Sequence, residues 1–126
     1  MNAAVYDAGA LVAAERNVRA VWAEHRVRLE AGLVPVVPAP VIAQVSRSAR
    51  QVQLRRFLRG CDVIAFDEVD AHDAGRLLAR SRTSNVVDAA VVVLAVSRDA
   101  EILTGDREDI QRLLVAARSS LRIVDV

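Results

Sequence analysis

The sequence of 126 residues contains no lysine, so that all 17 of its basic residues are arginine. A phosphate-binding P-loop and a Schiff-base enzyme each need a lysine, and both classes are therefore excluded. A phosphoacceptor receiver domain, which relies on a lysine near its aspartate, is excluded for the same reason. Arginine can still bind phosphate, because its planar guanidinium offers two parallel N–H groups.

Cysteine, histidine and long apolar runs are also scarce. The single cysteine, Cys61, cannot form a disulfide within the chain, which is typical of the cytoplasm. His25 and His72 lie far apart and have no Cys or His companions, so we expect no zinc site. The opening residues, MNAAVYDAGA, lack the basic region of a signal peptide. The longest apolar run, residues 89–96, is too short for a membrane helix of about 20 residues, and we expect a cytoplasmic protein without a membrane segment.

The remaining composition is that of one globular domain, which we expect to span residues 1–126. Hydrophobic residues make up 53% of the chain and aromatics only 3%, so the core is built mainly from Val, Leu, Ile and Ala. The net charge of +1 gives no indication of a polyanionic partner. A nucleic-acid site would therefore depend on local placement of charge.

Short apolar runs alternate with longer helical segments, which predicts an α/β fold with a parallel sheet of four to five strands and helices on both faces. Segment 86–96 is ambiguous, because its valines favour a strand. Its length and the adjacent polar residues Ser84 and Asn85 favour a buried helix, which is our prediction. Strands are predicted at 3–6, 34–37, 63–66, 101–104 and 122–126, and helices at 8–14, 18–30, 41–47 (after Pro40), 51–58, 68–81, 86–98 and 107–117.

Three aspartates stand where ligands bind in such a fold. Asp7 follows the first predicted strand and Asp106 the fourth, and open α/β sheets bind ligands beyond the carboxyl ends of their strands. Asp88 lies among apolar neighbours, where an unpaired carboxylate is costly unless it binds a metal. Carboxylate oxygens suit Mg²⁺ or Mn²⁺, which can assist phosphoryl displacement. Simpler roles stay open: Asp7 and Asp106 could cap helices, and Asp88 could be a first-turn helix residue.

Four segments resemble the PIN-domain ribonucleases, in particular VapC-like toxins of type II toxin–antitoxin systems. They are YDAGALVAAE, VPAPVIAQVSRS, TSNVVDAAVVVLA and LTGDREDI, so that the resemblance covers nearly the whole chain. It implies a PIN-like fold and a Mg²⁺- or Mn²⁺-dependent endoribonuclease that a small VapB-like antitoxin silences. It places the catalytic and metal-binding acids on Asp7, Asp88 and Asp106, with Asp109 as a further metal ligand. A homodimer is expected by the same analogy, together with the apolar stretch 18–33.

Two positions depart from the family pattern. The family usually has Glu where this chain has Gln44, and many similar chains have Asp where it has Asn85. Both changes remove negative charge near the expected metal, and we assign the two amides a place beside the metal ligands. They also keep open an alternative function, in which a degenerate PIN fold binds RNA or a partner protein without cutting.

Basic residues are concentrated in one acid-free segment, residues 31–61. Arg47, Arg50 and Arg55 are candidate RNA-binding residues there, since arginines contact phosphates. A solvated helix face and a docking surface for an acidic antitoxin tail are the other interpretations of this segment.

The other notable residues are expected to be structural. The acidic run from Asp62 to Asp73 is expected to be a solvated face, and Trp22 and Phe57 to be core or interface anchors. Glu15 could reach the acidic site from the first helix, although plain exposure is our expectation. A haloacid-dehalogenase-type phosphatase also places an Asp after its first strand, but it needs a second Asp where this chain has Gly9, and a lysine.

Overall fold

A computed structural model describes residues 2–126 as a five-stranded parallel sheet flanked by seven helices. The strands are β1 (Ala4–Tyr6), β2 (Val36–Pro38), β3 (Asp62–Ile64), β4 (Glu101–Thr104) and β5 (Ile123–Asp125). The helices are α1 (Ala8–Glu15), α2 (Arg19–Glu30), α3 (Ala39–Val45), α4 (Val52–Arg59), α5 (Glu68–Ser81), α6 (Val86–Arg98) and α7 (Arg107–Ala116). The predicted α/β class is confirmed.

The sheet order is β3-β2-β1-β4-β5, and every neighbouring pair is parallel. Strands buried on both faces need apolar residues at successive positions. The sequence provides them: β1 and β4 are buried throughout, with Val5 opposite Ile102 in the register. The edge strand β3 is more exposed and begins one residue before the predicted start, because Asp62 pairs with Val36.

The ambiguous segment is the helix α6, as predicted. Asn85 caps it, since its side-chain oxygen accepts a hydrogen bond from the Asp88 amide at 3.0 Å. The helix is apolar on most of its surface because it is packed between the sheet and the helices α5 and α7. No helix within residues 2–126 is long and apolar enough to cross a membrane.

Candidate metal centre

The acidic residues lie at the point where the sheet changes its direction of winding. The chain adds β2 and β3 on one side of β1 and then β4 and β5 on the other. Open α/β sheets bind ligands in the crevice outside the carboxyl ends of their strands at such a point. Asp7 directly follows β1, and Asp106 follows β4 after one glycine. The crevice between these two strands therefore begins with two carboxylates.

Two glycines let the backbones on either side of this crevice touch. A Cβ atom added to Gly9 would lie only 2.6 Å from the backbone nitrogen of Gly105. Side-chain flexibility cannot relieve a contact with backbone, so alanine at position 9 would force the two segments apart. The close approach holds the start of α1, behind Asp7, against the turn that carries Asp106.

Asp7 is buried and fixed by two hydrogen bonds. Its Oδ1 accepts from the Ala8 amide at 2.7 Å, and its Oδ2 accepts from the Thr104 hydroxyl at 2.6 Å. The same hydroxyl oxygen accepts from the Asp106 amide at 3.0 Å. Thr104 thus joins the first and last acidic segments. Thr104 was not among the site residues predicted from the sequence. Its place at the end of β4, two residues before Asp106, is the signal that could have indicated it.

Asp88 is the most deeply placed acid with an unused ligand atom. It lies in the first turn of α6, where only 5% of its surface is exposed. Its Oδ2 is buried and has no hydrogen-bond partner within residues 2–126. A buried carboxylate oxygen without a partner costs free energy unless a proton or a cation satisfies it.

Of the four acids predicted to bind the metal, the carboxylates of Asp88, Asp106 and Asp109 converge, whereas Asp7 lines the same cleft but is not part of this group. One oxygen from each lies within 4.8 Å of the other two, which is the spacing of oxygen ligands around one cation. Asp106 occupies the N-cap position of α7, but its side chain makes no capping hydrogen bond. Its carboxylate is therefore not used as a helix cap, which was the simpler of the two sequence interpretations.

Burial and mutual repulsion raise the pKa of two acids in this group. The pKa of Asp88 rises from 3.8 to about 7, first through burial and then through the charges of Asp7, Asp106 and Asp109. The pKa of Asp106 is also raised, first by loss of solvent and then by its hydrogen bond and charge contact with Asp109. The oxygen-only donor set, its negative charge and the unpartnered Asp88 oxygen all fit a hard divalent cation such as Mg²⁺ or Mn²⁺.

Three of the acids, Asp7, Asp88 and Asp106, line an open cleft of about 310 Å³ together with two amides. Gln44, in the last turn of α3, and Asn85, at the start of α6, both border the cleft. Both sequence-predicted amides are therefore near the acids. The full lining is Asp7, Ala8, Gly9, Gln44, Asn85, Asp88, Gly105 and Asp106.

Solved structures with the same arrangement of elements include three that align over nearly the whole chain. VapBC2 from Rickettsia felis, bound to a DNA fragment from their promoter, gives a TM-score of 0.68 at 16% identity and covers 98% of both chains. PAE2754 from Pyrobaculum aerophilum gives 0.64 at 20% identity and covers 98% of this chain and 90% of that one. FitAB bound to the IR36 DNA fragment gives 0.62 at 12% identity, with coverages of 97% and 94%. This chain has a PIN-like fold.

Sequence comparison adds nothing to this likeness. No protein-family model matches the chain, and no curated protein is detectably similar to it in sequence. At identities of 12–20% the agreement is one of fold, and the chemistry of the PIN-like cleft must be argued from its own residues.

The arginines of the basic segment come after the helix α3, which brings Gln44 to the cleft. The arginines at 47, 50, 55, 56 and 59 are exposed, and none forms a salt bridge within residues 2–126. Two of them are engaged in other ways. The Arg47 guanidinium donates to the Ala43 and Ser46 carbonyls at 3.0 and 2.9 Å, and Arg56 stacks over the Trp22 ring at 5.6 Å. The side chains of the other three, Arg50, Arg55 and Arg59, form no hydrogen bond or salt bridge within residues 2–126.

Glu15 has a role that neither sequence interpretation anticipated. It is half-buried, not exposed, and does not reach the acidic cleft. Its Oε2 accepts a hydrogen bond from the Leu54 amide at 2.6 Å. The Gln51 side chain at the start of α4 does not cap that helix, so Glu15 serves as its cap from α1.

The remaining singled-out residues are structural, as expected. Phe57 is fully buried and packs with Tyr6 and His25, and the half-buried Trp22 packs with His25 and Phe57. Burial lowers the pKa of His25, whose Nδ1 is 2.9 Å from the Tyr6 hydroxyl. The acidic run contains a capping box between Asp67 and Asp70. Burial raises the pKa of the Cys61 thiol to about 12, so that the thiol stays protonated at neutral pH.

A buried ion pair at the amino ends of the strands, opposite the cleft, was not predicted from the sequence. Arg28, 1% exposed, bonds to Glu101 at the start of β4 and to Glu24 at 2.9 Å. In the sequence these residues belong to an ordinary amphipathic helix and a distant strand, and no local pattern marks the pair. It anchors α2 to the amino end of the sheet, away from the acidic cleft.

Proposed function

We propose that this chain is a metal-dependent endoribonuclease that uses Mg²⁺ or Mn²⁺ to hydrolyse RNA phosphodiester bonds. The observation that carries the proposal is the buried, unpartnered Oδ2 of Asp88 beside the carboxylates of Asp106 and Asp109. Within residues 2–126 the three converging acids form no salt bridge with an arginine, so they would repel one another, and a divalent cation would relieve that repulsion.

In this proposal the acids have distinct tasks. Asp88, Asp106 and Asp109 hold the cation, which supplies positive charge to a phosphodiester under attack by water. Asp7, fixed by Thr104 and the Ala8 amide, presents its carboxylate from the other strand and completes the negative wall of the cleft. Its position suits the acceptance of a proton from an attacking water.

The basic segment supplies the attraction for a polyanion that the cleft lacks. Arg50 and Arg55 carry unpaired charge on and before α4, whereas Arg47 is partly occupied with the end of α3. Exposed, unpaired arginines are suited to phosphate contacts along a strand. RNA bound on this surface would reach the cleft at Gln44, which belongs to the same α3–α4 segment.

Cleavage of labelled RNA by the purified protein tests the proposal. We expect cleavage with Mg²⁺ or Mn²⁺, none with EDTA, and a loss of at least about a hundredfold for Asp88→Asn, since one ligand and one charge are removed. Asp99→Asn is the matched control: Asp99 is exposed at the far end of α6, and asparagine tolerates its left-handed backbone. Equal activity of Asp88→Asn and wild type would refute the assignment.

We further propose that the chain is the toxin of a VapBC-type pair in the cytoplasm, with a small VapB-like antitoxin and a homodimeric state. The fold likeness to VapBC2 and FitAB, which are toxin–antitoxin proteins, supports the antitoxin. Exposed apolar residues on and before α2, such as Val18, Val27 and Leu29, support a protein interface. Expression of the chain alone should arrest growth, and sedimentation should show a dimer. A harmless chain that sediments as a monomer would contradict both.

A second function is favoured by the two neutral amides in the cleft. With Gln44 and Asn85 in place of acids, the PIN-like fold could bind RNA or a partner without cutting it. Calorimetric titration with Mg²⁺ and Mn²⁺ separates the two functions. The nuclease should show a site that Asp88→Asn abolishes, whereas the binding protein should show no specific site.

A further inference from the structure

The two amides of the cleft lie at the ends of helices, and Asn85 precedes the cleft acid Asp88 at the start of the same helix. Gln44 comes from the end of α3 and Asn85 from the N-cap of α6, whereas Asp7 and Asp106 follow the strands β1 and β4. The acids can hold a cation but repel a phosphodiester. The amides are neutral and can donate hydrogen bonds to anionic oxygens.

The orientation of the Asn85 amide is fixed by the chain itself. Its Oδ1 accepts the Asp88 N–H at 3.0 Å, and only an oxygen can accept that bond. The Nδ2 group, with two N–H donors, is therefore the part of the amide left for a ligand. It forms no hydrogen bond within residues 2–126, and neither does the side chain of Gln44.

We propose that the amide N–H groups of Gln44 and Asn85 contact the phosphate oxygens of the RNA strand. They would hold the phosphodiester beside the converging acids of the cleft. This inference rests on the proposed RNA substrate. The two residues would be substrate-binding groups and not supports for the metal. An acid at either position would provide no N–H donor and would add a negative charge beside the phosphate.

Two neutral substitutions isolate the N–H donors. Asn85→Ser keeps a side-chain oxygen that caps α6, because serine is as good an N-cap as asparagine, but it lacks the NH₂ group. Gln44→Met keeps the length of an exposed side chain and removes its polar atoms. Neither change alters the charge of the cleft. Asn2→Ser is the control, since Asn2 is exposed before β1, at the amino ends of the strands and opposite the cleft.

The probe is a fluorescently labelled single-stranded RNA with 2′-O-methyl riboses, bound in Ca²⁺ and followed by anisotropy. We expect Gln44→Met and Asn85→Ser each to weaken binding by about three- to tenfold, the loss typical of one hydrogen bond. Asn2→Ser should bind as wild type does. The affinity of the protein alone for Ca²⁺, measured by calorimetry, should be unchanged in all three variants.

Two results would overturn the inference while leaving the proposed nuclease intact. One is RNA binding at wild-type strength by both cleft variants. The other is a parallel loss of Ca²⁺ affinity, which would make the amides supports of the metal. Failure of the wild-type protein to bind the RNA at all would remove both the inference and its RNA substrate.

Discussion

The hydroxyl of Thr104 connects the Asp106 segment to Asp7, which lies 97 residues before Thr104 in the sequence: it donates to the Asp7 carboxylate at 2.6 Å and accepts from the Asp106 amide at 3.0 Å. The side chain is fully buried, so that water cannot replace either bond. Thr104→Val keeps the shape of the side chain but leaves a buried carboxylate oxygen and an N–H group without their partner. We expect thermal or urea unfolding to show a loss of roughly 1–3 kcal/mol.

The conservative variant Thr104→Ser separates the hydrogen bonds from packing. Serine retains the hydroxyl and should recover most of the stability that valine loses. Equal behaviour of the serine and valine variants would mean that the methyl group matters and that the two bonds do not.

Asp88→Asn should change the pH dependence of stability in EDTA. Because the folded-state pKa of Asp88 is about 7 against 3.8, the folded protein binds more protons between these values. The stability contributed by this group therefore falls as the pH rises from about 4 to 7. Each pKa unit corresponds to about 1.4 kcal/mol, and we expect asparagine to stabilise the protein by roughly 1–3 kcal/mol at pH 8 and little at pH 4.

Denaturant unfolding of both proteins from pH 4 to 8 checks this sign. His25, with its lowered pKa, makes stability fall as the pH drops below about 6.5, but it does so in both proteins and cancels in the difference. Added Mn²⁺ should stabilise the wild type more than the variant. A difference that does not vary with pH would mean that Asp88 does not titrate in this range.

Gly9→Ala tests the close contact beneath the site. The added Cβ would lie 2.6 Å from the Gly105 nitrogen, and backbone must move to accept it. We expect a loss of roughly 1–3 kcal/mol in the free energy of unfolding, as for other overpacked positions. Mn²⁺ affinity should fall as well, since the Asp106 segment moves. Gly75→Ala, which meets nothing within 4 Å on α5, should leave both quantities unchanged or slightly improved.

Local patterns were sufficient for most elements of the fold. The boundaries of α5, α6 and β4 agree with the predicted ones, because each has a capping residue or an abrupt change in polarity. β2 and β3 were displaced, since their ends are set by pairing with neighbouring strands, which a single segment does not reveal, and α3 begins two residues before its predicted start. The position of three aspartates after strands or in a helix start led to the cleft, whereas the contacts made across it could not be predicted.

Glu15 and Thr104 show what was missing. The partner of Glu15 is the Leu54 amide, 39 residues away, and the partner of Thr104 is Asp7. Each contact depends on how helices and strands pack, and neither contact can be predicted from the residue type alone. A glutamate near the end of a helix is usually solvated, so the expectation of exposure was wrong for a reason that only tertiary structure supplies.

Gln44→Glu should tighten divalent-metal binding by the free protein. Gln44 borders the cleft with Asp7, Asp88 and Asp106, so a carboxylate in its place would lie beside the same cation. One further charge near a cation is worth at least about 1 kcal/mol even when strongly screened, and we expect Mn²⁺ to bind roughly fivefold more tightly or better. Mn²⁺ serves as the metal for both proteins, because carboxylate oxygens suit it as they suit Mg²⁺.

Calorimetric titration of both proteins with Mn²⁺ at one ionic strength measures the effect, and Ser120→Asp controls for net charge. Ser120 is exposed and precedes β5, so it lies at the amino ends of the strands, opposite the cleft. An added charge there is screened from the cation by distance and salt. A gain in Mn²⁺ affinity seen only in Gln44→Glu would mean that the new carboxylate acts in the cleft. An equal gain in both variants would mean that the change in net charge accounts for it. Unchanged affinity would mean that the side chain at position 44 turns away from the acids in solution.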